Sequence, residues 1–530
     1  MADDRPAPGA DVGNGDSDDE NLRLAIALSL QDAAAAAAPA SSPAPPPIGT
    51  LHVLDRRKME EERLARLAKK RPRADDDDND DDAPALPPSK KPVSTTSSSK
   101  SGDSTVPYPN GTVKRTWASG YPRTGDDIKI EEVLQRDQLL LALLSSYQWD
   151  DEWLLSKVNV SKTKLLLAAF AADDRQKQVM RANAPPHLKF CFPPMHGPGS
   201  MHSKLQMLKF PRYLRLVVPT GNLVPYDWGE TGVMENMVFL IDLPRLDNVA
   251  DHEPTPFSRH LEQFLRAMGI ESKMVDTLTS YDFSKTAGLG FVYTSPGGHM
   301  DESVKRIGYC GLGATVRTLG LATTEPIELD MSASLGNLKI GFVEALYNAC
   351  QGDDGMKEYG QRTAAKPTRK PDKSRDWQLK DRIRIYFPTN QTVSDSRGGK
   401  GAAGTICVQS RWWRSSDFPT DLVRDCINTR EGLLSHTKMV LVRGQRRAWA
   451  YVGSANLSES AWGRLVKDRQ SGKAKMSCRN WECGVVVPVP VNGGGVAADL
   501  SIFRGTVPIP MQVPGRAYGA TEEPWFFDDA

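Results

Sequence analysis

Two segments of this chain place a histidine and a lysine one residue apart, with an asparagine a fixed distance downstream. The first, MHSKLQMLKFPRYLRLVVPTGNL, holds His202, Lys204 and Asn222. The second, SHTKMVLVRGQRRAWAYVGSANL, holds His436, Lys438 and Asn456. In both copies 17 residues separate the lysine from the asparagine, and a tryptophan follows (Trp228, Trp462). An imidazole can attack an electrophile or carry a proton. An ammonium supplies a fixed cation, and an amide supplies a neutral donor. One His-x-Lys is an ordinary surface strand. Two copies with the same downstream spacing, brought face to face, would surround one phosphate with two lysines and two asparagines. That is equipment for holding one phosphate group and acting on it with an imidazole.

The spacing also says what must position these groups. On a strand, residues i and i+2 share a face, so each histidine projects beside its lysine. A returning antiparallel strand then delivers the asparagine to the same end. Strands are expected at Tyr213–Val218, Met237–Leu240 and Met439–Val442, and helices at Ile130–Ser145 and Ser161–Ala171. The longest apolar run, Leu139–Leu144, reads as a buried helix. Alternation of such segments from about Pro107 onward points to α/β domains. No apolar run approaches the roughly 20 residues that cross a bilayer, and the opening MADDRPAPGADVG lacks the basic and apolar regions of a secretory leader.

The net charge of +1 hides an asymmetry. Residues 1–105 carry 14 Lys and Arg against 20 Asp and Glu, and the remainder 53 against 46. A mildly basic globular part suits an anionic partner such as nucleic acid. The seven cysteines are scattered, and Cys478 and Cys483 lack the further ligands of a zinc site, so they read as reduced thiols of an intracellular protein. Residues 1–105, with an alanine run, a Pro-rich piece and the acidic block Asp75–Asp82, have the composition of a disordered tail. Within that tail, 17–32 (SDDENLRLAIALSLQD) sets Leu22, Ala25, Ile26 and Ser29 on one helical face behind an acidic start. It resembles a ubiquitin-interacting motif, which implies contacts with ubiquitin through those four residues. The basic cluster 69–73, following the helix-prone Asp55–Lys70, reads as a nuclear import signal, and Ala364–Arg375 as a basic surface loop.

The paired half-sites resemble the phospholipase D superfamily, whose site is built from two His-x-Lys motifs. The common form carries an Asp five residues after each lysine; here those positions are Lys209 and Arg443. The branch without that Asp, using a distant Asn, is the tyrosyl-DNA phosphodiesterase family. PNGTVKRTW (Pro109–Trp117), GNLVPYDW (Gly221–Trp228), SYDFS (Ser280–Ser284), SANLSESAWG (Ser454–Gly463), NWECG (Asn480–Gly484) and AYGATEEPWF (Ala517–Phe526) support that resemblance over about Pro107–Ala530.

The resemblance implies two similar α-β-α sandwich domains related by a pseudo-twofold axis, at 106–298 and 299–530. It implies His202 as nucleophile and His436 as general acid, then base. Lys204, Lys438, Asn222 and Asn456 would hold the phosphate oxygens, and Glu482 would orient an imidazole, that of His202. The counterpart on the other side is assigned to Asn236, with Glu235 competing. Ser334, Ser454 and Ser458 match positions that touch DNA phosphate, with turn chemistry as the alternative for each. Pro198 stands where relatives stack an aromatic ring on a base.

The implied activity is removal of tyrosyl peptides, such as topoisomerase I adducts, from DNA 3′ ends by a monomeric nuclear enzyme that needs no cofactor or metal and no membrane. Another phosphodiesterase of the superfamily, acting on lipid head groups or nucleic acid, and a ubiquitin-reading scaffold with an inactive site are the competing readings. The absent Asp positions argue against the lipid enzyme, and the two intact half-sites against the scaffold.

Overall fold

The computed structural model describes residues 106–364, 379–491 and 500–527. The expected ubiquitin-binding helix (Leu22, Ala25, Ile26, Ser29), the basic cluster 69–73 and nearly all of the basic segment 364–375 lie outside the described residues.

The first half contributes β1 (Thr112–Thr116), β2 (Asp127–Ile128), β3 (Leu141–Ser145), β4 (Lys164–Ala168), β5 (Leu188–Cys191), β6 (Gln206–Lys209), β7 (Tyr213–Pro219), β8 (Met234–Glu235) and β9 (Met237–Pro244). The second contributes β10 (Gly290–Thr294), β11 (Gly297–His299), β12 (Glu328–Ser332), β13 (Ile383–Phe387), β14 (Val423–Asp425), β15 (Leu434–Ser435), β16 (Met439–Arg443), β17 (Ala448–Gly453), β18 (Arg464–Lys467), β19 (Ala474–Cys478) and β20 (Glu482–Val489).

One sheet runs β2-β1-β9-β7-β6-β3-β4-β5 and the other β10-β20-β17-β16-β12-β13-β14. The orders superpose strand for strand: β9, β7, β6, β3, β4 and β5 correspond to β20, β17, β16, β12, β13 and β14. The sense of every pairing matches too. The three terminal strands β3-β4-β5 and β12-β13-β14 are parallel, and the rest of each shared set is antiparallel. The half-site repeat in the sequence is therefore the visible part of a duplicated α/β fold. β10 occupies in the second sheet the place of β1 in the first. The change of sheet thus comes before Gly290, earlier than the 298/299 boundary read from the sequence.

The expected strands at 213–218, 237–240 and 439–442 are found within β7, β9 and β16. The two expected helices are not. Only Ile130–Leu134 of the first is helical, and LALLS and KLLLA form β3 and β4. These are interior parallel strands covered on both faces, so they read as continuous apolar runs without period-2 alternation. A short run of that kind cannot be told from a buried helix by periodicity.

Helices cover the sheets. Pro256–Ala267 shows how: Thr255 caps Ser258 N, Pro256 occupies the first turn, and Phe257, Leu261, Phe264 and Leu265 are buried at helical spacing. The sheets meet along β7 and β9 against β17 and β20. These are the strands that end beside Asn222 and Asn456, so the two half-sites face each other where the sheets pack.

All seven cysteines are unpaired. Among the described residues, no helix is long and apolar enough to cross a membrane.

Candidate active site

Each His-x-Lys lies in an extended segment leading into a strand, His202–Lys204 before β6 and His436–Lys438 before β16. The hairpins β6–β7 and β16–β17 then return the chain to the same end, where Asn222 and Asn456 follow β7 and β17. The two lysines are held alike. Lys204 Nζ donates to the His202 carbonyl at 2.9 Å, and Lys438 Nζ to the His436 carbonyl at 2.8 Å. That bond folds each ammonium back beside its own imidazole.

The imidazoles are oriented by carboxylates that cross between the halves. His202 Nδ1 lies 2.9 Å from Glu482 Oε2, and His436 Nδ1 lies 3.1 Å from Asp227 Oδ1. The first half supplies the carboxylate for the second half's histidine, and the second half returns the favour. A carboxylate on Nδ1 takes that nitrogen's proton as a hydrogen bond and turns Nε2 toward the other side of each ring; in His202 that Nε2 lies 3.3 Å from Lys204 Nζ, a contact a bound phosphate would compete for. The ring of Tyr147 tilts against His202 at 5.3 Å.

All of these groups are buried. His202 is 9% exposed and His436 5%. Burial dominates their protonation. His436 is driven down to about 4, with the neighbouring Lys438 charge adding to the drop and Asp227 opposing it. His202 is also held below its ordinary value, by burial and by Lys204 against the pull of Glu482. Lys204 falls to about 8 through burial, and Lys438 well below its usual range through burial and the Lys204 charge. Asp227 is held at about 2, since its His436 and Lys438 partners outweigh burial. The charge of Lys438 acts on His202 and that of Lys204 on His436, so the two half-sites lie within electrostatic reach of one another. An anion bound there would reverse these depressions. Among the described residues no group of three or more His, Cys, Asp and Glu could hold a metal ion.

Asn222 Oδ1 accepts from Gln148 N at 3.3 Å, which turns its NH₂ end into the donor left for a ligand. Asn456 Oδ1 is buried with no partner among the described residues. Such an orphaned amide end is a group that a ligand or a flip of the amide would satisfy.

Two assignments change, those of Asn236 and Ser454. Asn236 does not orient His436. It is fully buried, and its Nδ2 donates to Asp227 at Oδ1 (3.0 Å) and at the carbonyl (2.9 Å), while Oδ1 accepts from Thr220. The orienting carboxylate is Asp227, inside GNLVPYDW. Gly221 permits this arrangement, because a Cβ there would meet the Asn236 amide at 2.8 Å.

Ser454 is fully buried. Its hydroxyl donates to Glu482 and accepts from Cys483 N, so it fixes the carboxylate and does not reach a DNA phosphate. Asn480 holds the other oxygen of Glu482 at 3.1 Å. Ser458 caps the short helix Glu459–Trp462, and Ser334 bridges Thr405 O and Cys407 N. Both serines therefore show turn and cap chemistry. Trp228 and Trp462 are buried, the former donating to the Asn222 carbonyl at 3.1 Å. Arg443 pairs with Asp330 at 2.9 Å.

A family profile described as tyrosyl-DNA phosphodiesterase matches residues 112–519. The chain belongs to the tyrosyl-DNA phosphodiesterase family. Tyrosyl-DNA phosphodiesterase 1 of Arabidopsis thaliana is 21% identical over 487 residues, covering 76% of this chain and 71% of its own. A probable tyrosyl-DNA phosphodiesterase of Caenorhabditis elegans is 22% identical over 363 residues, covering 62% and 68%. The crystal structure of the yeast tyrosyl-DNA phosphodiesterase superposes with a TM-score of 0.57 at 17% identity, over 78% of this chain and all of the yeast one. The fold is thus the phospholipase D-like one that this family uses. The crossed His–carboxylate pairs described above are this family member's candidate catalytic centre.

Proposed function

We propose that this protein is a DNA-repair phosphodiesterase that hydrolyses 3′-phosphotyrosyl DNA ends through a covalent phosphohistidine. The observation that carries the reading is the pair of imidazoles, each held at Nδ1 by a carboxylate from the opposite half, beside two buried lysines whose ammonium groups fold back onto the histidine carbonyls. Such a pocket binds a phosphodiester and has two proton-transfer groups but only one place for phosphorus.

In the first step the Nε2 lone pair of His202 attacks phosphorus. The P–N bond forms, the bond to the tyrosine oxygen breaks, and protonated His436 gives its Nε2 proton to the leaving phenol. Phenol has a pKa of about 10, so it departs more readily than an alcohol. In the second step His436 takes a proton from water, the oxygen attacks phosphorus and the P–N bond breaks. This leaves a 3′-phosphate and free His202. Lys204 and Lys438 neutralise the non-bridging oxygens as charge builds, and Asn222 and Asn456 donate to them. The two ammonium groups do the work a metal would do elsewhere.

Topoisomerase I adducts are the proposed physiological substrate class, and the enzyme is proposed to act in the nucleus as a monomer. The ubiquitin-interacting motif at 17–32 would bring it to ubiquitin-bearing adducts. The test of the activity is a 3′-phosphotyrosyl oligonucleotide with purified protein in excess chelator. Release of tyrosine and a 3′-phosphate is expected; no turnover, or turnover only after metal is restored, would overturn the reading. For the tail, ubiquitin added to the labelled full chain should shift the Ala25 and Ser29 resonances, and unchanged spectra would reject the motif.

A further inference from the structure

Beneath His436 lies a buried cluster that the reaction itself does not use. Glu235 of the first half is fully buried. One carboxylate oxygen accepts from Asn428 Nδ2 at 2.9 Å, and the other from Arg430 Nη1 at 3.0 Å. Arg430 also donates to the Thr116 carbonyl at 2.9 Å, and Asn428 Oδ1 accepts from Arg430 N at 2.7 Å. Glu235 therefore ties down the start of the segment that leads, six residues later, to His436.

The same stretch holds the end of that segment. β8 pairs in parallel with β15, Leu434 N donates to the Val233 carbonyl at 3.0 Å, and His436 N donates to the Glu235 carbonyl at 3.0 Å. The next residue, Asn236, holds Asp227, which holds the His436 ring. Two adjacent residues of one half thus fix both the backbone and the imidazole of the other half's histidine.

The arrangement around His202 is related but not equal. There His202 N donates to the Trp481 carbonyl at 3.1 Å, and Asn480 joins Ser200 N to Glu482. A neutral amide stands where the His436 side has a buried ion pair. A buried pair is a poor device for stability but a strong one for fixing register, and here it is tied in further, with Arg430 3.5 Å from Asp127 and Glu235 4.0 Å from Arg115.

We propose that the Glu235–Arg430–Asn428 cluster is the positioning device for the general acid–base His436, and that its loss slows hydrolysis of the phosphohistidine more than its formation. This rests on the assignment of His436 to proton transfer. With a 4-nitrophenyl leaving group the first step needs no acid, whereas the second always needs His436 to take a proton from water. A displaced His436 would therefore leave adduct formation nearly intact and retard its breakdown. Simple loosening of the fold would lower the fraction of active sites and leave the ratio of the two rates alone.

The experiment follows the pre-steady-state reaction of excess 3′-(4-nitrophenyl phosphate) oligonucleotide on denaturing gels, with the burst amplitude counting competent sites. For Glu235→Gln, and separately for Arg430→Lys, hydrolysis of the adduct should fall by about tenfold or more relative to its formation, given what a misplaced general base forfeits. Covalent DNA adduct should accumulate as a result. Asn480→Ala, on the other side, should slow formation without accumulation. Equal slowing of both steps in both cluster variants, or unchanged rates at full amplitude, would overturn the positioning role while wild-type turnover upholds the activity. Absence of any adduct or turnover in the wild type would overturn the activity itself, and the positioning role with it.

Discussion

Replacing Asp227 with asparagine tests the crossed carboxylates most sharply, because no atom is added and both oxygens are in use. Oδ1 receives His436 Nδ1 at 3.1 Å and Asn236 Nδ2 at 3.0 Å, and Oδ2 receives the Asn222 backbone N–H at 2.6 Å. An amide can satisfy only one of these sides. If its oxygen faces His436, its NH₂ meets the Asn222 N–H head-on and pushes the phosphate-binding asparagine. If its NH₂ faces His436, the imidazole must accept on Nδ1 and carry its proton on Nε2, the wrong tautomer for taking a proton from water. A hydrogen bond to a charged group contributes about 1.5–3 kcal/mol. Losing that much where His436 becomes cationic slows the step by about 10- to 150-fold.

The readout is pre-steady-state cleavage of excess 3′-phosphotyrosyl oligonucleotide, with burst amplitude as the measure of competent enzyme. Both steps should slow, and adduct hydrolysis should slow within that range or beyond it. An Asp227→Asn enzyme within about twofold of wild type in both steps would refute the claim that Asp227 governs His436.

Three further outcomes are expected. Ser454→Ala removes the hydroxyl that holds Glu482; at about 1–2 kcal/mol for a bond to a carboxylate, phosphohistidine formation should slow by about five- to thirtyfold, and an unchanged rate would reject the positioning role of Ser454. Lys204→Met should abolish activity yet leave the protein at least as stable, because the drop of the Lys204 ammonium from 10.5 to about 8 corresponds to about 3 kcal/mol of burial penalty at neutral pH. A lower thermal midpoint than wild type at pH 7 would contradict that. The proposed nucleophile, His202, is held below 6.5, so it stays deprotonated as pH falls past 6.5 and is lost only below. The acid limb of kcat/KM for a 4-nitrophenyl substrate should therefore lie under pH 6.5; a limb at or above that value would mean that His202 is not depressed in the free enzyme.

The chemistry-bearing residues were legible because each half-site is local. A His-x-Lys, a hairpin and an Asn within some twenty residues leave a spacing that repeats. Their orienting partners were legible only in part. Glu482 stands 280 residues from His202, and Asp227 209 residues from His436, each in the opposite half. The repeat carries no trace of this crossing, since Ala461 occupies the place in the second copy that Asp227 has in the first. A demand for a carboxylate on each imidazole is the signal that could have found Asp227 inside GNLVPYDW; the resemblance instead assigns the role to Asn236, with Glu235 competing. Ser454 was read as a DNA contact because it flanks Asn456, but its side chain faces the interior of the turn. LALLS and KLLLA hide their strand character for a different reason: burial on both faces erases the alternation by which a strand is recognised.

The central claim is that phosphorus passes through His202 and protons through His436. Rapid quenching of the wild type and of His436→Asn on a 3′-phosphotyrosyl oligonucleotide, followed by peptide mapping under alkaline conditions that preserve phosphohistidine, tests it directly. A DNA-linked phosphoryl group is expected on His202 in both proteins, transient in the wild type and long-lived in His436→Asn. An adduct mapped to His436 in the wild type, or one still formed by His202→Asn, would contradict it.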